Sequence, residues 1–521
     1  MSDIADRRAQ WRTRSGFILA ALGAAIGLGN IWRFSYVVGD NGGAAFLVVY
    51  FATIVLIGLP LVLVELAIGK ATQREADSAF RHIGRNGVWR QAGILGVIVS
   101  FVILTYYAVI AGWALKFFVV FTTGLYPFRA GDASEYFNAF VAASVEPVLW
   151  QACIMAVTAA IVLGGIEKGI ERANKLLMPA LATIVVALAV HSLTLPDARR
   201  GLSFLFTPNW EAFSQPRVYL AALGQAFFSL GLAMGVLVTY GSYLPKHVRL
   251  PMTGAIIAFG DTIFAIVAAV IIFPAVFSFG MNPDQGPGLA FVTLPEIFIR
   301  MTAGQIVGIA FFGLLVVAAI TSSVALLEIP VAYAIERWGF ARARATLLIG
   351  GVAFLLGVPS SLGFGLLSAI SFAGMPILDA VDFVASNILL PLSGLAIALF
   401  AGWHWREADA HRGGRVSATV AGAIMADFGP LRRASDGPHH ISAIAVNHLR
   451  ECAQIRRQTG RHRRPLWSGR RVALPTSIRS SNIRQKFQTH RTRNKVLVID
   501  VHQCFKRSTA DRSVHTPFVS L

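Results

Sequence analysis

Glycine, asparagine and arginine crowd the first apolar stretch of this chain, Ser15 to Tyr50, where a passive membrane anchor would carry aliphatic residues. Gly23, Gly27 and Gly29 lead directly into Asn30 and Arg33. A helix needs roughly 20 apolar residues to cross the hydrocarbon core, and unwound main chain survives there only where protein buries it or a cavity lines it. The pattern predicts a broken helix whose freed carbonyls and half-helix end form a binding site near mid-bilayer. A plainer alternative is a small-xxx-small packing face from Gly23 to Gly27. Asn30 and Arg33 weigh against it, since polar groups inside a span are costly unless they serve a purpose. The theme returns in GQAFFSLGLAMG, where Gly224, Gly231 and Gly235 surround Ser229. Asp261 lies in the middle of another apolar run, and a carboxylate at that depth marks function by default. Thr321, Ser322 and Ser323 offer hydroxyls that either bond back to their own helix or face a partner. Tyr106 and Tyr107 read either as packing aromatics or as polar contacts.

About ten spans must position these groups. After the first, spans are expected at about Ala44 to Ile68 (with Glu65 near one end), Gly93 to Phe121, Leu149 to Leu163, and from the charged turn Glu167–Lys175 to Leu195. The second half gives about Arg217 to Tyr243, Met252 to Phe279, Gln305 to Glu336, Ala345 to Val358 and Ile377 to Trp403. Between the seventh and eighth, Asn282 to Arg300 carries Pro283, Pro287 and Pro295 and predicts a short re-entrant hairpin. Arg7, Arg8, Arg12 and Arg14, then Lys70 to Arg90, Lys246 and Arg249, Arg337 to Arg344 and Arg406 fall on alternate connections, which places both termini in the cytoplasm by the positive-inside bias. Arg199 and Arg200 run against it. Matching interruptions in spans 1 and 6, each opening a half of five spans, are the mark of an inverted repeat and argue for a transporter.

Composition agrees. The chain has 521 residues, 55% hydrophobic and 14% charged, with mean hydropathy +0.62, far too apolar for a soluble protein. Three scattered cysteines give neither a disulfide framework nor a zinc pattern, and no cleavable signal peptide is evident. No nucleophile–base constellation appears, so the chain is not read as an enzyme. The net charge of +19 sits mostly from Glu407 onward, where 21 lysines and arginines face seven acids. The expected division is therefore a cytoplasmic N-terminus at 1–14 bearing gate residues, a transport core at 15–404 with repeats at about 15–195 and 217–404, and a basic tail at 405–521. That tail has poor periodicity, so disorder is its default reading. It looks either like an aberrant, non-native C-terminus or like a patch suited to anionic lipid. It carries no nucleic-acid-binding motif.

Taken together, GAAIGLGNIWRF with NGGAAF, GQAFFSLGLAMG, AAITSS and DAVDFVASNILLPL closely resemble the neurotransmitter:sodium symporter family, in particular its bacterial amino-acid transporters, from roughly Arg8 to Trp403. The resemblance implies an all-α membrane protein with a leucine-transporter-like fold of five plus five inverted helices, helices 1 and 6 unwound. It implies sodium-coupled import of an amino acid across the plasma (inner) membrane, with two Na+ as coupling ions and no other cofactor. By similarity, one sodium site uses the Ala25 carbonyl, Asn30, Ser229 and Asp261, closed by the substrate carboxylate. The other uses the Gly23, Ile26 and Ala318 carbonyls with the Thr321 and Ser322 hydroxyls. The substrate carboxylate is assigned to the Leu28 and Gly29 amides and Tyr107, and the amine to carbonyls near Ala25 and Phe228. The side-chain pocket is assigned to Ile103, Phe228, Gly231, Met234, Ser322 and Leu326, an apolar lining that suits a neutral, hydrophobic or aromatic amino acid. Arg33 and Asp382 match an outer ion pair above Phe228 and Tyr107, and Arg8, Trp11, Tyr243 and Glu336 match an inner gate. Tyr50, Gln225 and Ser229 match the surroundings of an anion site in chloride-dependent relatives. Asp261 already supplies that negative charge, so transport is expected to be chloride-independent. Relatives usually carry one or two further spans where this chain has its basic tail. Two other readings stay open: a transport-defective sensor or scaffold, and a proton-coupled transporter on the same fold.

Overall fold

Apolar runs of span length can satisfy their amides only within their own helix. Among the described residues the only β-strands form a short hairpin, Ser371–Phe372 against Met375–Pro376, turned by Ala373 and Gly374 at positive φ. The computed structural model describes residues 10–84, 89–124, 131–207, 209–245, 248–282 and 286–405, all within one unit, Met1–Ala434. The basic tail from residue 406 and Arg8 lie outside the described residues.

Eight helices among these are long and apolar enough to span a membrane: Ala44–Thr72, Gln91–Thr123, Glu146–Leu163, Ile166–Leu193, Leu250–Ser278, Gly304–Trp338, Arg342–Leu362 and Ile377–Gly402. They are spans 2 to 5 and 7 to 10. Span 1 is a ninth, made of Arg14–Ala25 and Gly29–Asp40 bent by 51°. Span 6 is present as two shorter pieces, Pro216–Ser229 and Val236–Ser242. A broken span followed by four continuous ones thus occurs twice.

The segment expected to form a re-entrant hairpin holds two short helical pieces among its described residues. Gly286–Leu289 is a single 3-10 turn, and Thr293–Arg300 is a short helix that buries Leu294, Ile297 and Phe298. Pro295 falls in that helix's first turn, where its missing N–H costs no hydrogen bond. Pro283 lies outside the described residues.

Spans 3 and 8 bury most of their length and form the centre of the helix packing. Spans 4, 5 and 9 turn Leu149, Val157, Leu176, Val186, Leu347 and Leu355 outward, the apolar face a bilayer requires. Close crossings are made by glycine: a methyl at residue 112 would stand 2.8 Å from the Gln151 main chain. Gln151 also donates from Nε2 to the Phe354 carbonyl (3.1 Å) and accepts from the Ser361 hydroxyl (2.8 Å), tying span 4 to span 9.

Candidate functional site

The first half of span 1 ends at Ala25, and Ile26 is extended. Helix ends leave main-chain groups without partners. Here Asn30 takes one, its Oδ1 accepting from the Gly27 N–H at 3.0 Å. The Asn30 Nδ2 donates to Asp261 Oδ1 (2.7 Å) on span 7 and to Ser229 Oγ (2.9 Å) on span 6. Ser229 donates in turn to Asp261 Oδ2 at 2.7 Å. All three residues are buried. A carboxylate is therefore held between two neutral donors at the depth where span 1 is broken. Oxygen ligands around one negative charge suit a hard cation.

A second oxygen cluster joins span 1 to span 8. The Ser322 hydroxyl lies 3.3 Å from the Gly23 carbonyl and 3.2 Å from that of Ala24. Thr321 instead bonds back to the Ala318 (2.9 Å) and Val317 carbonyls of its own helix. The two alternatives left open for these hydroxyls are both realised, one by each residue. Gly27 seals the contact: a Cβ there would lie 2.4 Å from Ser322 Oγ and 2.7 Å from the Tyr107 hydroxyl.

Between the breaks lies a small cavity. Ala25, Gly29, Ile103, Tyr107, Phe228, Gly231, Met234, Ser322 and Leu326, all assigned to the substrate by resemblance, line it together with Ala24, Gly27, Val236 and Ala325, which sequence reasoning did not name. Leu28 is buried and does not line it, and its N–H is bonded to the Tyr107 hydroxyl at 2.9 Å. Of the two amides assigned to a carboxylate, the one at Leu28 is thus occupied by a side chain.

The unwound part of span 6 turns through positive φ at Gly231, Ala233 and Gly235. Ala233 is the strained member, since a Cβ disfavours that region. Three side chains fix its surroundings. Glu65 Oε1 accepts from the Ala233 N–H (2.7 Å), Ser393 donates to the Ala233 carbonyl (2.6 Å), and Ser100 donates to the Met234 carbonyl (2.5 Å). Sequence reasoning assigned none of these a role, although Glu65 was visible as a lone acid in span 2.

At the Asp382 end, the expected ion pair is not formed. Arg33 donates from Nη1 to Gln225 Oε1 (2.8 Å) and lies 4.9 Å over the Phe228 ring, while Gln225 Nε2 donates to the Gly29 carbonyl (2.9 Å). Asp382 Oδ1 accepts from Ser386 one turn along its own span (2.8 Å). The guanidinium is diverted because span 6 brings a neutral amide closer than span 10 brings the carboxylate.

At the opposite end, Trp11 is buried against Phe17, Tyr240 and Tyr243. It donates from Nε1 to the Tyr240 carbonyl (3.0 Å) and from its main-chain N–H to that of Tyr243 (3.1 Å). The Tyr243 hydroxyl donates to Glu328 Oε1 (2.9 Å), a fully buried acid that also pairs with Arg342. Of the expected inner-gate group, Trp11 and Tyr243 meet directly. Glu336 faces Arg74 (3.7 Å) and the Glu75 N–H (3.2 Å). Glu75 lies in the connection after span 2, and its carboxylate accepts from the Asp77 and Ser78 amides (2.8 and 2.7 Å), starting helix Ala76–Gly84. Burial pushes its carboxyl up to about 7, Glu336 adds to the rise, and the hydrogen bonds from Ser78 and Asp77 oppose it.

The sequence pattern described as the sodium:neurotransmitter symporter family matches residues 8–139 and 141–405. A sodium-dependent transporter of Bacillus subtilis, YhdH, is 38% identical over 392 residues, covering 75% of this chain and 87% of that protein. A sodium-dependent transporter of Haemophilus influenzae is 34% identical over 409 residues, covering 76% and 89%. The mouse sodium-dependent neutral amino acid transporter B(0)AT3 is 32% identical over 321 residues, covering 54% and 50%. The crystal structure of MhsT in complex with L-phenylalanine matches with a TM-score of 0.73 and 48% identity, covering 81% of this chain and 99% of that one. Coverage, identity and shape agree, and the chain belongs to the sodium:neurotransmitter symporter family.

Proposed function

We infer that the protein is a secondary active symporter that uses sodium to import a neutral, hydrophobic or aromatic amino acid, without chloride, by alternating access. The observation that carries this reading is the Asn30–Ser229–Asp261 cluster opening beside a cavity whose lining holds no charged side chain. One sodium is assigned to Ala25, Asn30, Ser229 and Asp261, the other to Gly23, Ile26, Ala318, Thr321 and Ser322. The substrate amine is a cation and its carboxylate an anion, so both are met by main-chain carbonyls and amides at the breaks, leaving the cavity for an apolar side chain. MhsT, similar to this chain over most of its length, holds L-phenylalanine, and the mouse relative is named for neutral amino acids. The Trp11 end is assigned to the cytoplasm and the Asp382 end to the outside.

The test is uptake of the common amino acids by the full chain in proteoliposomes under an inward sodium gradient. Neutral hydrophobic substrates should accumulate only with sodium, and replacing chloride by gluconate should leave the rate unchanged. Accumulation in sodium-free medium under a pH gradient alone would overturn the sodium reading, and loss of uptake in gluconate would overturn the role given to Asp261.

A further inference from the structure

Asn174 stands on span 5 just past the wide π-helical turn Ile166–Glu171. Its side chain is 1% exposed. The amide Nδ2 donates to the Ile170 carbonyl at 3.0 Å, but Oδ1 has no hydrogen-bond partner. A buried amide oxygen without a donor is costly, so its placement calls for a reason.

That oxygen is set against span 1. A Cβ on Gly23 would lie only 2.0 Å from Asn174 Oδ1, so the approach exists only because residue 23 is glycine. The Gly23 carbonyl, meanwhile, is the one reached by the Ser322 hydroxyl (3.3 Å) in the second oxygen cluster. Asn174 is therefore the next oxygen beyond that cluster on the span 5 side. Further along the same seam, the buried Glu171 carboxylate binds the Arg12 N–H (2.7 Å) and the Thr13 hydroxyl (2.8 Å) at the start of span 1. Span 5 thus lays two oxygen-bearing side chains beside span 1, between the second cluster and the Trp11 end.

We propose that Asn174 Oδ1 is a transient ligand for the cation leaving the second cluster towards the cytoplasm, taking it over from the Gly23 carbonyl as spans 1 and 5 part; this rests on reading that cluster as a sodium site. A hard cation crosses an apolar seam only by exchanging one oxygen for another. An amide oxygen suits a stepping point, because it replaces the oxygen that the ion leaves behind. It acts on the barrier to release and leaves the resting site unchanged.

The experiment measures 22Na+ delivered into proteoliposome lumens during the first turnover, with equilibrium 22Na+ binding to the same purified full-length protein. Asn174→Leu should slow delivery about tenfold, a barrier change of about 1.4 kcal/mol, with sodium affinity within about twofold of wild type. Asn174→Asp keeps an oxygen and loses the N–H donor to Ile170, and should restore delivery to within about threefold. Delivery at the wild-type rate in Asn174→Leu overturns the proposal. So does an Asp variant as slow as the Leu variant, which would assign the effect to the Ile170 bond, or a loss of affinity that accounts for the slowing. Wild type that binds no 22Na+ would overturn the symport reading itself, a result distinct from any of these.

Discussion

Asp261 is the residue on which ion coupling is expected to turn, because its negative charge is surrounded by neutral donors from spans 1 and 6. Charge-assisted contacts of this kind are about twice as strong as neutral ones. Asp261→Asn should raise the sodium concentration for half-maximal substrate binding by about tenfold or more, roughly the 1.5–3 kcal/mol of a hydrogen bond to a charged group. A sodium titration of substrate binding checks this, and an unchanged midpoint would contradict it. Glu328 poses the reverse case, a buried acid whose charge is already paired by Arg342. Arg342→Ala removes the guanidinium paired with that buried carboxylate and should destabilise the fold by about 3–5 kcal/mol. Denaturant unfolding measures it, and adding Glu328→Gln should recover part of the loss. Asp261 was legible in the sequence because its depth alone made it exceptional. Glu328 was not, since Arg342 reads as one more positive charge at a span's end, and only packing shows that the two meet.

The broken spans work as elements because their loose backbone is tied by side chains from other helices. Ala233 is the clearest instance, with Glu65 on its N–H and Ser393 on its carbonyl. Glu65→Leu removes an acceptor from a buried amide and should cost about 1–3 kcal/mol. Because that amide immediately precedes Met234, which lines the cavity, substrate affinity should fall while the helical circular dichroism stays unchanged. Equal affinity in the variant would show that the tie is dispensable. The breaks themselves were legible, since glycines clustered beside polar residues in an apolar run have few other uses. The ties were not: Ser100 and Ser393 are ordinary small residues of helices, and nothing local marks them as partners of span 6.

Across the molecule, the connection after span 2 couples its own folding to pH. Glu75 is buried, and its carboxyl is raised from 4.5 to about 7. A raised carboxyl favours the folded state in its protonated form. That contribution is complete below pH 4.5 and is lost as pH climbs through about 7. Thermal stability should therefore decline over this window, and Glu75→Gln, which cannot ionise, should flatten the decline. Parallel profiles for the two proteins would refute the assignment.

The sequence by itself determined the order of the spans, the two breaks, and the oxygen-rich chemistry at their level. Each of these follows from hydropathy, glycine's weak helix preference and the cost of polar groups in a bilayer, all of which act locally along the chain. Only the tertiary structure decided which partner each polar group takes. Arg33 meets Gln225 and not Asp382, Tyr243 meets Glu328, and the Leu28 amide is claimed by Tyr107. These choices are set by ångström differences between helices that lie tens to hundreds of residues apart, where several partners of similar chemistry compete for one donor.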